Sequence, residues 1–170
     1  FWIGTAPVTN EQYKRFMEGT GRDAPSHWIG NEPPADELDH PVLRMSWNVA
    51  KLFCDWAGLA LPSEAQWEKA ARGTDGRKWP WGDDPPTEKH CNFGNNVGTT
   101  TAVGKYSSQG DSPYGFVDMA GNVWEWTASQ ILRGGSWRTV AEGCRCAQRG
   151  TGNPLVGHDY DGFRVLVAPS

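Results

Sequence analysis

One stretch, residues 114–137, constrains the fold of this chain more than any other. It reads YGFVDMAGNVWEWTASQILRGGSW and combines two acidic residues, a Gly-Asn turn, two alternating tryptophans and a Gly-Gly pair. Successive side chains of a strand point to opposite faces, so Trp124 and Trp126 share one face, which is predicted to enter the core. The other face, which carries Glu125, is expected to stay near backbone turns and oxygen ligands. The stretch therefore predicts short strands connected by glycine turns.

The composition bounds the class of protein. The chain has 170 residues, enough for a single domain (1–170) with a sizeable core. Its 21 glycines and 10 tryptophans suit a loop-rich fold with large aromatic anchors. A net charge of −4 argues against a nucleic-acid partner, which usually meets a basic face. No apolar run is long enough to span a membrane, and 4 cysteines do not make a disulfide scaffold.

Three amphipathic segments precede the tryptophan stretch. Thr9 and Ser63 each stand three residues before a glutamine, the spacing of a capping box, and so begin the first and third helices. The second helix is predicted over residues 48–57 and ends at Gly58. Strands are predicted over residues 122–127, 130–132, 136–138, 144–149 and 162–167. These elements predict an α+β domain with two packed helices, small twisted antiparallel sheets and long loops.

The order of the motifs resembles the formylglycine-generating sulfatase-modifying family. The resemblance rests on DMAGNVWEWT, LRGGSW and GFRV, preceded by PVTNEQYKRFMEGTG, LPSEAQWEKAARG, PWGD and NFGNNVG, and covers essentially the whole chain. It implies a variant of the C-type lectin fold. Relatives usually begin with a further strand and have a longer excursion after the WEW run, so an amino-terminal portion and one loop are expected to be missing. A fold alone does not assign a function.

The resemblance also implies two calcium sites. Calcium binds hard oxygen ligands, including backbone carbonyls. The first site maps onto Asp118, Gly121, Val123 and Glu125, with carbonyls supplied by the glycine and the valine. The second maps onto Asn92, Phe93, Asn95 and Val97, and has an asparagine where some relatives have aspartate, which lowers the ligand charge. The alternative is that Asp118 and Glu125 only accept hydrogen bonds from turn amides.

The cysteines and histidines argue against the enzymes of the family. Its oxidases use two thiolates, five residues apart, that hold copper(I) and oxidise a substrate cysteine to formylglycine. Counted from the RCAQR run, these positions fall on Ala141 and on a shortened segment, and neither is a cysteine. Cys144 and Cys146 would share one strand face and could hold a soft ion, but without a third soft ligand both are interpreted as packing residues. The iron-dependent branch of the family uses histidines on a helical domain, but no two histidines of this chain have the helical i, i+4 spacing. We therefore expect neither bound copper nor enzymatic activity.

The remaining candidate is the surface formed by residues 138–160, between the GGSW and DGFRV elements. Function concentrates on loops that a rigid scaffold holds. The segment also resembles the variable proteins of diversity-generating retroelements, which mutate adenines, typically in AAC codons, and so cannot produce Lys, Glu, Gln, Met or Trp. Residues 150–160 contain none of these. The leading hypothesis is a non-enzymatic ligand-binding domain, with contacts from Trp137, Arg138, Thr139, Val140, Gly150, Thr151, Gly152, Asn153, Leu155, Val156, Gly157, His158, Asp159 and Tyr160.

Two other functions stay open at this point. One is a copper-dependent formylglycine-generating oxidase that acts on a protein cysteine, and the other is a degenerate domain that only scaffolds a partner. The absent thiolate pair favours the ligand-binding hypothesis over the oxidase. The expected partner is an unknown protein or a cell-surface ligand, and the sequence leaves a phage particle, the cell surface and the cytoplasm open as locations.

Overall fold

The computed structural model describes residues 1–167 as an α+β domain, the class that the sequence predicts. Within these residues there are three α-helices: α1 (Asn10–Thr20), α2 (Trp47–Ala57) and α3 (Glu64–Arg72). The strands are β1 (Trp124–Trp126), β2 (Ile131–Arg133), β3 (Arg149–Thr151) and β4 (Asp161–Gly162), and a short 3-10 helix spans Ala141–Cys144. Helices α1 and α2 pack on each other, while α3 packs on β2. No helix among these residues is both long and apolar enough to cross a membrane.

The predicted helix starts are confirmed at the level of single hydrogen bonds. At α1 the Gln12 amide donates to the Thr9 hydroxyl at 3.3 Å, and the Thr9 amide donates to the Gln12 side chain at 2.9 Å. Ser63 and Gln66 repeat this capping box at α3, at 3.2 and 2.9 Å. Each box satisfies amides that a helix start leaves without partners. The local sequence therefore defines where these helices begin.

The sheet is mixed rather than antiparallel, which corrects the sequence expectation. Its strand order is β3-β2-β1-β4, with β1 antiparallel to β2 and parallel to β4. The strand predicted over 136–138 is absent, since Gly134 and Gly135, with φ of 93° and 76°, turn the chain away from β2. The strand predicted over 144–149 is absent except at its last residue: the 3-10 helix ends at Cys144, a turn follows, and β3 begins at Arg149. Beyond β4, the predicted strand 162–167 is reduced to bridges at Leu166.

The core consists of three clusters, and Cys144 and Cys146 lie in different ones. Trp126 and Phe163 join the α1–α2 core, where the Phe53 and Phe163 rings meet edge to face at 5.2 Å. Cys146 packs with Trp67 beneath α3, whereas Cys144 packs in a separate cluster with Trp79, Cys91 and Ala120. The expectation that Cys144 and Cys146 share a strand face is therefore wrong, and both act as packing residues.

Candidate functional site: an exposed aromatic and arginine surface

Glu125 lies in the core, not beside an open ligand site. Its side chain is fully buried, and so are Val123 and Thr127 on the same face of β1, which corrects the expectation for this face. Arg164 donates from Nε to Glu125 Oε2 at 2.6 Å and from Nη2 to Oε1 at 2.8 Å, and Trp67 Nε1 donates to Oε2 at 2.7 Å. A bidentate guanidinium pair is among the strongest charge-assisted contacts. In this arrangement the Glu125 carboxylate does not fit a calcium ligand.

Asp118 and Gly121 form a tight turn before β1. Asp118 is half-buried with a φ of 54°, and its Oδ2 accepts a hydrogen bond from the Gly104 amide at 2.7 Å. Burial raises the pKa of this carboxyl from 3.8 to about 6. Gly121 has a φ of 74°, and a Cβ on it would lie 2.2 Å from the Asn92 carbonyl oxygen. The turn therefore requires glycine at this position. Of the two carboxylates in the first expected calcium set, Glu125 is paired with Arg164, whereas Asp118 has no guanidinium partner among residues 1–167.

Asn92 carries an unsatisfied oxygen. The side chain is fully buried, its Nδ2 donates to the Thr99 carbonyl at 2.8 Å, and its Oδ1 has no hydrogen-bond partner among residues 1–167. Buried polar atoms usually have a partner, so this oxygen fits a donor to a hard cation. Phe93 is half-buried, while Asn95 and Val97 lie on the exposed loop that follows.

In the described part of the chain, no three acidic, histidine or cysteine side chains converge on one point. A cation near Asn92 would therefore draw on amide and carbonyl oxygens. Calcium binding at either set of residues stays a prediction.

The thiols are unsuited to the copper chemistry of the family. All four cysteines are free and buried. Burial raises the pKa of both the Cys144 and the Cys146 thiols to about 12, so both stay protonated at neutral pH, whereas the thiolate is the form that binds metals. Ala141, the position that matches one oxidase thiolate, begins the 3-10 helix and offers only a methyl group.

On the 138–160 surface, exposed and half-buried side chains pack against one another and against the ring of Trp137. The Arg138 guanidinium lies 4.4 Å from the Trp137 ring centroid and 5.8 Å from that of Tyr160. The His158 ring stacks on the Tyr160 ring, with centroids 5.1 Å apart and an interplanar angle of 4°. Arg138 also contacts the Asp159 carboxylate at 2.7 Å. These contacts connect four side chains, Trp137, Arg138, Tyr160 and His158, which we call the stack.

The predicted contact residues divide by exposure. Those open to solvent are Arg138, Val140, Thr151, Asn153, Leu155, Val156 and His158, and those half-buried are Thr139, Gly150, Gly152, Gly157, Asp159 and Tyr160. Trp137 is only 6% exposed, so its ring serves as the floor of the stack. A Cβ on Gly157 would lie 2.2 Å from the Arg44 carbonyl oxygen, and one on Gly150 would lie 3.1 Å from the Trp124 ring. The two glycines therefore suit close backbone packing better than variation.

Sequence reasoning missed two buried charged residues, of which Asp161 contacts this surface. Arg164 neutralises Glu125, and Asp161, on β4, is 1% exposed and contacts His158 Nδ1 at 2.9 Å. Both belong to the DGFRV run, which the sequence analysis treated only as scaffold. The available signal was a charged residue on each side of the core residue Phe163, at Asp161 and Arg164, since charged residues are rarely buried without a partner.

Comparison with known proteins places the whole chain in one family. Residues 1–169 match the profile of the Sulfatase-modifying factor enzyme 1-like domain. The chain is 36% identical over 157 residues to the inactive C-alpha-formylglycine-generating enzyme 2 of Bos taurus, covering 76% of this chain and 50% of that protein. It is 30% identical over 207 residues to the formylglycine-generating enzyme of Mus musculus, covering 94% and 56%. Its fold matches the solved structure of Treponema denticola variable protein 1 with a TM-score of 0.74 and 26% identity, covering 96% and 82%.

The relatives differ in activity and in length. Their names include both an active and an inactive formylglycine-generating enzyme as well as a variable protein. The chain spans between about a third and a little over half of the curated relatives named as kinases and formylglycine-generating enzymes. The match over residues 1–169, the motif order and the shared fold lead to one conclusion: this chain belongs to the family of Sulfatase-modifying factor enzyme 1-like domains.

Proposed function

We propose that this domain is a non-enzymatic ligand-binding module that presents residues 138–160 to a protein ligand, in the manner of a variable protein. The stack carries the proposal. Tyrosine and arginine are the residues that most often dominate binding energy at protein interfaces. Here both are fixed in place by neighbouring rings and a carboxylate, so little side-chain freedom is lost on binding.

The surroundings of the stack fit a protein ligand. Val140 and Leu155 are 68% and 70% exposed, so apolar side chains accompany the polar contacts, as at most protein interfaces. The Trp137 indole donates to the Asp159 carbonyl at 3.1 Å, which connects the two ends of the segment. The likeness to Treponema denticola variable protein 1 supports the same function.

A paired-library experiment tests this proposal. One library randomises five exposed positions of the surface: Arg138, Val140, Thr151, Leu155 and His158. A matched library randomises five exposed positions elsewhere: Glu11, Arg15, Glu18, Glu88 and Lys89. Both are displayed on phage and selected against immobilised hen egg-white lysozyme, and the melting temperature of random members is recorded.

We expect most members of both libraries to fold, because exposed changes away from caps usually stay within about 0.5 kcal/mol. Specific binders should come from the first library and be rare in the second. Equal yields from the two libraries, or general unfolding of the first, would contradict a display role. Phe163→Ala, in the core, serves as the unfolding control and should cost about 3–5 kcal/mol.

The oxidase remains the second candidate because of the 30% identity to the mouse formylglycine-generating enzyme. The position of Ala141 and the buried, protonated thiols oppose it.

We also propose, as a separate matter, that calcium supports the loop at Asn92, and the unsatisfied Asn92 Oδ1 is the observation in its favour. Melting with calcium and with a chelator, for the native chain and for Asn92→Leu, tests this second proposal: a calcium-dependent shift should occur only in the native chain.

A further inference from the structure

His158 is an exposed residue of the 138–160 surface that is nevertheless held by several contacts. Its side chain is 45% exposed, yet two contacts hold the ring and a third holds the backbone. Nδ1 lies 2.9 Å from Asp161 Oδ2, the backbone amide of His158 donates to the same oxygen at 3.0 Å, and the ring lies flat on Tyr160. The opposite ring nitrogen, Nε2, has no hydrogen-bond partner among residues 1–167.

Asp161 is an unusual residue to find beneath this ring. It is 1% exposed on β4, where it pairs with Trp124 of β1. One carboxylate oxygen contacts His158, while the other, Oδ1, is buried without a hydrogen-bond partner in the described chain. Burial raises the pKa of this carboxyl. A buried carboxylate with an incomplete set of partners costs stability, which points to a role other than holding the fold together.

The contact with Asp161 favours one of the two neutral tautomers of His158. Asp161 Oδ2 already accepts the backbone amide of His158, so it acts as an acceptor toward the ring as well. A neutral imidazole that donates from Nδ1 has an acceptor at Nε2. The same division of roles occurs where a carboxylate orients a metal-binding histidine. The side chain that carries this acceptor is 45% exposed, so a ligand on the surface can approach it.

The charges around the stack define what this acceptor would meet. Arg138 is the cation nearest to the rings, and the Asp159 carboxylate pairs with it at 2.7 Å. Arg44 packs its backbone beneath Gly157, with its guanidinium directed to Ser26 at 2.9 Å. Arg138 and Asp159 offset each other, and the Asp161 carboxylate lies buried beneath His158, so this largely aromatic face suits a neutral donor group more than an anion.

We propose that Asp161 is a positioning residue that holds His158 as the Nδ1–H tautomer, so that Nε2 accepts a hydrogen bond from an N–H or O–H group of a protein ligand that packs on the stack. This inference rests on the proposed display function. It adds that the ligand donates a hydrogen bond to His158. It also adds that this contact depends on Asp161, a buried residue outside the segment 138–160. Variation of residues 138–160 would then leave the acceptor in place wherever His158 is retained.

The first measurement needs no ligand and no variant. Proton–nitrogen correlation spectra of the 15N-labelled native domain at neutral pH report which nitrogen of the His158 ring is protonated. We expect Nδ1 to be protonated and Nε2 to be free. A ring protonated at Nε2, or an even mixture of the two tautomers, would overturn the inference whatever the domain binds.

The second measurement uses Asp161→Asn, since an amide can accept from or donate to Nδ1 and should release the tautomer preference. Asp159→Asn is the matched control, because it removes a neighbouring carboxylate and leaves Asp161 intact. Unchanged ring nitrogen signals in Asp161→Asn would contradict the inference. Should this variant fail to fold, the native spectrum alone decides the assignment.

The third measurement connects the tautomer to binding. Peptides selected against the native domain from a random phage library are sorted by their sensitivity to His158→Leu. We expect sensitive peptides to lose tenfold or more in affinity for Asp161→Asn. They should keep their affinity for His158→Gln, because the glutamine carbonyl replaces the acceptor. Insensitive peptides should bind both variants as they bind the native domain. Sensitive peptides that bind Asp161→Asn normally would refute the positioning role, whereas a failure to select any peptide, with the expected tautomer present, would count against the display function instead.

Discussion

At the scale of single residues, the Glu125–Arg164 pair is the most consequential contact of the tryptophan stretch. Both side chains lie in the core and are 0% exposed to solvent. Removal of one partner from a buried pair leaves an uncompensated charge. We therefore expect Glu125→Gln, which keeps the shape, to lower the free energy of unfolding by about 3–5 kcal/mol in urea titrations.

Asp55→Asn provides the reference for this measurement. It breaks the exposed Lys51–Asp55 pair on α2, and such surface pairs contribute about 0–1 kcal/mol. Equal losses in the two variants would mean that the Glu125 carboxylate is not held as the structure describes.

Asp118 predicts a pH dependence of stability with a definite sign. Its pKa is raised from 3.8 to about 6 in the folded chain, so the folded state binds the proton more tightly than the unfolded state. The stability from this proton is fully present below pH 3.8 and is lost as the pH rises through 6. The loss is at most about 3 kcal/mol for a shift of this size, and less because the residue is only half-buried.

Urea unfolding between pH 3.5 and 7.5 in a chelating buffer measures this effect, on the order of 1–3 kcal/mol. Relative to Asp118→Asn, which cannot ionise, the native chain should lose stability as the pH rises. Parallel profiles would exclude the raised pKa.

At the scale of the elements, the turn before β1 depends on a close backbone approach at Gly121. Gly121→Ala would place a Cβ 2.2 Å from the Asn92 carbonyl oxygen at a φ of 74°. Backbone cannot move aside as a flexible side chain can, so we expect this substitution to prevent folding or to cost several times more than the left-handed conformation alone. Circular dichroism and thermal melting provide the measurement.

Gly30→Ala isolates the conformational part of that cost. Gly30 has a φ of 65°, and a Cβ there would meet nothing within 4 Å, so the loss should stay near 1–2 kcal/mol. Gly135→Ala, whose Cβ would lie 2.7 Å from Cys144 Sγ, should be more damaging than Gly30→Ala. If all three variants melt alike, the close approaches are not what these glycines provide.

At the scale of the whole molecule, the placement of the cysteines predicts the outcome of an oxidase assay. The domain is incubated with copper(I), oxygen and a sulfatase-derived peptide that contains a cysteine, beside the mouse formylglycine-generating enzyme as the positive control. We expect no conversion of cysteine to formylglycine by mass spectrometry, because the two cysteines nearest the expected site are buried and have pKa values of about 12. Conversion above that of copper alone would restore the oxidase hypothesis.

Much of the helical framework could be predicted because its signals are local. The capping boxes at Thr9 and Ser63 involve residues three apart, and the spacing of apolar side chains defines the buried face of each helix. Trp126 enters the core as the strand alternation predicted, while Trp124 on the same face is only half-buried. The order of the motifs was sufficient to place the chain in its family.

The tertiary structure alone decided the roles of charges and thiols. Glu125 is paired with a residue 39 positions further along the chain, and periodicity cannot distinguish such a buried ion pair from a metal ligand, since both place a carboxylate beside a strand. Cys144 and Cys146 separate into different clusters because Cys144 ends a 3-10 helix and Cys146 lies in the turn that follows, where a strand was predicted. Likewise, Asp161, three residues from His158, is buried because β4 lies parallel to β1. Sequence patterns encode local conformation and burial, whereas the partner of a polar side chain depends on contacts that form only when distant segments fold together.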